Sequence, residues 1–108
     1  MEYHSRLQSK LNDELFDAIL SLRSREECYR FFEDLCSVSE LQAMAQRLEV
    51  ARMLAEYITY IDIARLTGAS TATISRINRC LKYGAEGYRI ALERSGTDGS
   101  PADKQTNK

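Results

Sequence analysis

The side chains best suited to chemistry cluster in one span: Thr71, Ala72, Thr73, Ser75, Arg76, Asn78, Arg79 and Lys82. Guanidinium and ammonium groups neutralise phosphate, while short hydroxyls and methyls approach base edges and thymine methyls in a major groove. That is the chemistry of recognition, and the rest of the sequence supplies no parts of a catalyst. There is no Gly-rich phosphate loop and no Ser, His and Asp arrangement for nucleophilic attack. The single histidine, His4, stands in a ragged amino terminus. Asp13, Glu14, Glu26, Glu27, Glu33 and Asp34 fall on expected helix exteriors beside arginines, where solvation accounts for them. Cys28, Cys36 and Cys80 are odd in number and lack metal-ligand spacing. They are expected to be reduced core thiols of a cytoplasmic protein, with no metal, no cofactor and no enzymatic activity.

Presenting the recognition residues requires one helix braced on another. Tyr60–Thr67 reads as a short helix with Ile63 and Leu66 apolar and Ala64 small enough for a close crossing. Thr59 is its expected N-cap, and Asp62 is favoured near its positive end. Gly68 tolerates the left-handed backbone that stops one helix and aims the next, and Ser70 caps the second. There Ile74, Ile77 and Leu81 fall at i, i+3 and i+7 as one apolar stripe, with Ala72, Arg76 and Arg79 roughly opposite. Small residue, turn glycine, serine cap and inward isoleucines in register over residues 60–81 make a helix-turn-helix. A plain αα-hairpin shares some of these marks, but its exposed face is ordinarily a mixture of Glu and Lys. The charge partition favours the DNA-reading alternative. Although the net charge is −1, residues 1–58 hold 7 Lys and Arg against 11 Asp and Glu, whereas residues 59–94 hold 6 against 3.

The surrounding chain is a scaffold. Its 108 residues, 44% hydrophobic with one Pro and no Trp, suit a single all-α domain over residues 1–94. Leu7, Leu11, Leu15, Ile19 and Leu22, widened by Phe16 and Leu20, predict an amphipathic helix over about Leu7–Leu22. A Ser24-to-Glu27 capping box starts a second helix to Cys36, with Cys28, Tyr29, Phe31, Phe32 and Leu35 around much of its circumference. Ser39 with Gln42 predicts the start of a third, running to about Tyr57. The reading helix should end near Tyr83 with Gly84 as terminator, before a last helix, Ala85–Arg94, that offers Tyr88, Ile90, Ala91 and Leu92 for packing. Residues 95–108 contain no large apolar side chain and are expected to be a disordered tail. No apolar run approaches the ~18 residues of a membrane span. Apolar faces this wide on ~90 ordered residues favour a two-fold dimer over a compact monomer. Such a dimer would set two reading helices in successive major grooves, ~34 Å apart.

The run Leu66-Thr67-Gly68-Ala69-Ser70-Thr71-Ala72-Thr73-Ile74-Ser75-Arg76, with Leu81-Lys82 beyond it, resembles the helix-turn-helix of the tryptophan repressor. Ser39-Glu40-Leu41 with Gln46-Arg47 resembles the entry to that repressor's third core helix. With Leu81, Tyr83, Gly84, Gly87 and Tyr88 added, the pattern is similar to the YerC/YecD group of Trp-repressor-like proteins. The resemblance covers about Leu7–Arg94 in layout and is most specific over Ser39–Tyr88. It implies an all-α, multi-helix fold with intertwined amino-terminal helices in a homodimer, working as a cytoplasmic, nucleoid-associated transcriptional regulator of a bacterium. It makes Thr71, Ala72, Thr73 and Ser75 groove-facing, and places Thr59 and Ser70 at helix starts near phosphate.

Arg47 and Arg76 match the two arginines that frame the repressor's amino-acid effector. Read as residues alone, Arg47 is equally a helix-surface ion pair and Arg76 a phosphate or guanine contact. Ile77 stands where the repressor has a glycine beside its indole pocket, and Cys80 where it has a serine that helps hold the ligand's amino group. The function expected is therefore sequence-specific duplex binding by a homodimer without tryptophan as co-repressor. Arg79, Lys82 and Arg76 would supply electrostatic affinity, with repression by occluding polymerase the simplest outcome. The alternatives are a helical protein-interaction module and a replication or nucleoid-maintenance DNA binder.

Overall fold

A computed structural model of the chain describes residues 3–96. The elements are α1 (Lys10–Leu20), α2 (Arg25–Leu35), α3 (Val38–Ala55), α4 (Tyr60–Thr67), α5 (Thr71–Tyr83) and α6 (Gly87–Arg94), with no strand among the described residues. The all-α class read from periodicity is the one observed.

Local hydrogen bonds set most of the helix ends. Ser9 Oγ accepts the Asn12 N–H at 3.0 Å, so α1 starts at Lys10 and not at Leu7. Leu7 instead sits in a preceding turn, its N–H donating to Ser5 Oγ and its carbonyl accepting from Asn12 Nδ2 at 2.6 Å. Ser24 caps α2 as expected, accepting the Glu27 N–H at 3.1 Å, while the Glu27 carboxylate accepts the Arg23 N–H at 2.8 Å. The third helix begins earlier than Ser39 and Gln42 suggest. Ser37 Oγ accepts the Glu40 N–H at 3.1 Å and the Glu40 carboxylate accepts the Ser37 N–H at 2.8 Å, a reciprocal capping box two residues upstream. The Ser37 backbone N–H, and after it the Ser37 hydroxyl, hold the Glu40 carboxyl below the usual carboxylate range. At the other end of α3, the Ile58 N–H bonds the Met53 carbonyl and the Tyr57 N–H bonds the Leu54 carbonyl. This is a Schellman closure with Tyr57, not glycine, in the left-handed position at φ 65°.

The chain divides into two compact units, Met1–Leu41 and Gln42–Lys108. In the first, neither α1 nor α2 contains a buried residue. Leu11, Phe16, Leu20 and Tyr29 are exposed, and the Phe31 and Phe32 rings meet edge to face at 5.4 Å. The second unit holds the core: Val50, Ala51 and Met53 of α3, Ile63 of α4, Ala69 of the turn, Ile74 and Ile77 of α5, and Leu92 of α6. Leu54, Ile58, Ala64, Leu81 and Tyr88 pack against it.

Some expected positions differ. Leu66 is exposed, because it lines an open depression with Ala45, Met53 and Ile58 and does not enter the core. Ile90 and Ala91 are exposed, leaving α6 to pack through Tyr88 and Leu92. The three cysteines are free, but Cys28 and Cys80 are exposed and Cys36 half-buried, so they are not core thiols. No helix among the described residues is long and apolar enough to cross a membrane. Residues 97–108 of the expected tail lie outside the described residues.

Candidate nucleic-acid interface

The frame of the interface is built from short-range chemistry. Thr59 Oγ1 accepts the Asp62 N–H at 3.2 Å and caps α4, and Asp62 pairs in turn with Arg65 at 3.3 Å. Gly68 adopts the left-handed conformation, φ 78° and ψ 2°, with its N–H on the Ala64 carbonyl at 2.9 Å. An L side chain at that φ is strained, which is why glycine suits the turn. Thr67 closes the corner: its hydroxyl donates to the Ile63 carbonyl at 2.7 Å and accepts the Ala69 N–H at 3.1 Å. Gln46 Nε2 then donates to the Thr67 carbonyl at 3.1 Å, tying α3 to the turn. Sequence reasoning missed Gln46, because a bond to a distant carbonyl leaves no local pattern.

Beyond the turn, Ser70 Oγ accepts the Thr73 N–H at 3.1 Å and donates to Thr73 Oγ1 at 3.0 Å. One threonine hydroxyl of the expected reading set is thus engaged by the cap, and Thr73 is half-buried. Thr59, Ser70, Thr71, Ala72, Ser75, Arg76, Arg79 and Lys82 are all exposed. Ile74 and Ile77, by contrast, are 0% and 2% exposed. The helix therefore has one face fixed in the core and one presented outward. Among the described residues no carboxylate pairs with Arg76, Arg79 or Lys82. Their charge stays available to an anion.

Gly84 ends α5 as expected, but in extended geometry, φ −87° and ψ −154°. Glycine is needed there for close approach: a Cβ would lie 2.5 Å from the Cys80 carbonyl oxygen. Arg89 Nη2 of α6 donates to the Leu81 carbonyl at 3.1 Å, satisfying an acceptor at the end of α5.

Arg47, Arg76 and Cys80, assigned by resemblance to an effector pocket, are exposed, and all three act electrostatically on Tyr88 of α6. Ile77 lies beneath α5 in the core. Burial pushes the Tyr88 phenol above its ordinary range, while the Arg47 and Arg76 guanidiniums pull it down and Cys80 pushes it up. Its hydroxyl is neutral around pH 7. In the sequence Tyr88 is marked by its spacing to Leu92, one helical turn away, and by its place in the Trp-repressor-like pattern, neither of which names these neighbours.

With this geometry in view, the Trp repressor protein family model matches residues 10–96. The uncharacterized protein YerC of Bacillus subtilis (strain 168) is 61% identical over 89 residues, covering 82% of this chain and 86% of that protein. A crystal structure from Staphylococcus aureus, described as a candidate Trp repressor, superposes with TM-score 0.79 at 52% identity, covering 83% of this chain and 90% of that one. A TrpR-like protein from Eubacterium eligens gives TM-score 0.80 at 54% identity, covering 84% and 94%.

Proposed function

The chain belongs to the Trp repressor family, DNA-binding regulators and not enzymes, and we propose that it binds a specific duplex sequence as a homodimer and represses transcription by occluding polymerase. The observation that carries this reading is the two-faced α5. Its isoleucines are buried while Thr71, Ala72, Ser75, Arg76, Arg79 and Lys82 stand exposed. In the proposed complex the amino-terminal part of α5 enters the major groove, where Thr71, Ala72, Thr73 and Ser75 approach base edges and thymine methyls. Arg76, Arg79 and Lys82 neutralise phosphates. Thr59 and Ser70 lie at the positive ends of α4 and α5, where backbone phosphates are favoured.

The homodimer is supported by α1 and α2. Both are amphipathic, yet neither buries a residue within the chain, and a second copy is the cover that point-group symmetry most often provides. Independence from tryptophan is supported by Ile77, a branched side chain filling the space under α5, and by Cys80, whose sulfur is a weak acceptor. Binding to chromosomal DNA would put the protein in the cytoplasm at the nucleoid.

A salt titration tests the reading. A preferred duplex is first selected from genomic fragments, and binding to it and to random DNA is then measured. Arg79→Ala should weaken both and flatten the log–log salt slope by about 0.9. Added tryptophan should leave affinity unchanged. If no fragment is enriched and Arg79→Ala changes nothing, the helical hairpin serves a protein partner instead.

A further inference from the structure

One bond runs from the scaffold helix to the turn that launches the reading helix. Gln46 of α3 is half-buried, and its Nε2 donates to the Thr67 carbonyl at 3.1 Å, across 21 residues of sequence. That carbonyl is the last of α4, and a helix leaves its final carbonyls without an internal donor. From Thr67 the path to α5 is fixed at each step. The Thr67 hydroxyl donates to the Ile63 carbonyl at 2.7 Å and accepts the Ala69 N–H at 3.1 Å. Ala69 is buried, and Ser70 Oγ accepts the Thr73 N–H at 3.1 Å. The core that joins α3 to α4 and α5, built on Val50, Ala51, Met53, Ile63, Ile74 and Ile77, is apolar and therefore non-directional.

We infer that Gln46 is a positioning residue for DNA reading: its bond to the Thr67 carbonyl sets the angle at which the turn, and α5 beyond it, stands on α3. This rests on the DNA-binding reading above and extends it to a residue that need not touch DNA. Apolar contacts keep α5 attached to the core but tolerate small rotations of the turn; a hydrogen bond to one backbone oxygen does not. Phosphate contacts survive such a rotation, because charge acts over several ångströms without strict direction. Base-edge contacts do not, because each needs its donor within about 3 Å of the acceptor and nearly in line. Gln46 thus serves discrimination between sequences and not the affinity common to all duplexes. The bond lies in the wall of an open depression with Ala45, Met53, Ile58 and Leu66, where water competes for both partners, so it adds little to overall stability.

The test measures the affinity of the full chain for the selected duplex and for random DNA, well below the unfolding midpoint of each variant. Gln46→Met keeps the length and approximate volume of the side chain and removes the donor. It should lower affinity for the selected duplex about tenfold, the size of one weakened base contact. Random-DNA affinity and the unfolding midpoint should stay unchanged. Gln46→Lys keeps an N–H donor at similar reach and should restore most of the ratio between the two duplexes. A ratio that lysine does not restore would assign the loss to side-chain shape and overturn the role of the bond. Equal losses on both duplexes would reduce Gln46 to a part of the fold, and no loss on either would remove it from DNA reading. Should Gln46→Met unfold, Gln46→Glu, of the same shape but only an acceptor, is read in the same way with the same outcomes. A wild-type chain that prefers no duplex would instead overturn sequence-specific binding itself. A wild-type preference with binding weakened by Arg79→Ala on both duplexes, but with a ratio indifferent to Gln46→Met, overturns this inference alone.

Discussion

Helices α1 and α5 carry comparable apolar stripes and use them in opposite ways. In α5, Ile74 and Ile77 are 0% and 2% exposed, with Leu81 packed beside them. In α1 the stripe through Leu11, Leu15 and Ile19 buries nothing fully: Leu11 is 77% exposed and Leu15 and Ile19 are half-buried. The periodicity of a stripe says that a face must be covered; it does not say by what. For α5 the cover lies in the same chain, because α3, α4 and α6 contribute Val50, Met53, Ile63 and Leu92 to one core. Within α1 and α2 no residue is buried, and Ser9 and Ser24 cap their starts. A helix-turn-helix must keep its reading face fixed before DNA arrives, so it needs its own core. In the proposed dimer, α1 and α2 need only be helical in outline until a second copy covers them.

The largest effect should fall on the covered stripe. Ile77→Ala removes a buried branched side chain from a core that cannot fully collapse around the gap. It should cost ~2–5 kcal/mol in chemical denaturation. A cost near zero would mean that α5 is not held by this core, and the contrast with α1 would disappear.

Next comes the uncovered stripe. If a second copy covers α1, Leu11→Asp replaces a leucine of the stripe by a charge and should weaken association by about 2 kcal/mol, roughly thirtyfold. Sedimentation equilibrium of the two proteins measures this directly. In a free monomer the same exposed substitution should stay within about 0.5 kcal/mol of neutral. A wild-type chain that sediments as monomer at micromolar concentration would place α1 in solvent.

The positions legible in the sequence are those where a residue acts on neighbours within about one helical turn. Thr59, Gly68 and Ser70 could be assigned because a cap or a left-handed turn needs only three or four residues of context. The miss at the start of α3 is of the same kind. Ser37-Val38-Ser39-Glu40 offers two serines at capping distance from a Glu or Gln, and the charged Glu40 with Ser37 makes the stronger reciprocal pair. Gln46 on the Thr67 carbonyl spans 21 residues, and Tyr88 packs on a core drawn from several helices. Such bonds depend on how helices cross, which no local pattern contains. The outward residues Thr71, Ala72, Ser75, Arg76 and Arg79 were legible because helical period alone separates them from Ile74 and Ile77.

A smaller effect should appear at the turn that leads into the reading unit. Tyr57 is 92% exposed and holds a left-handed φ of 65°, so its side chain contributes little packing while its Cβ strains the backbone. Tyr57→Gly should therefore stabilise the chain by up to about 1 kcal/mol, less whatever glycine loses through greater freedom in the unfolded chain. A raised denaturation midpoint is the expected result. A lowered one would show that the exposed ring has a contact that the Schellman turn alone does not require.

The smallest effect tests whether the amino-terminal side of the comparison really depends on local bonds. Glu40 is fully exposed, so burial does not set its behaviour; the Ser37 N–H and hydroxyl do, by favouring the carboxylate. A carboxyl whose folded value is depressed binds fewer protons folded than unfolded. Its contribution is complete above the unfolded value of about 4 and fades as pH falls through the lowered folded value. Wild type should accordingly be more stable than Glu40→Gln at neutral pH, and the difference in unfolding midpoint should close on acidification below about pH 4. Glutamine can still accept one bond from the Ser37 N–H, so the gap is the charged part of the cap alone. If it stays constant down to acid pH, the charge is irrelevant and α3 is started by the Ser37 hydroxyl. If it closes, the beginning of α3 is held by a pair of residues three positions apart, in the same local manner as α1 and α2, before the core at Val50 and Ala51 takes over further along the same helix.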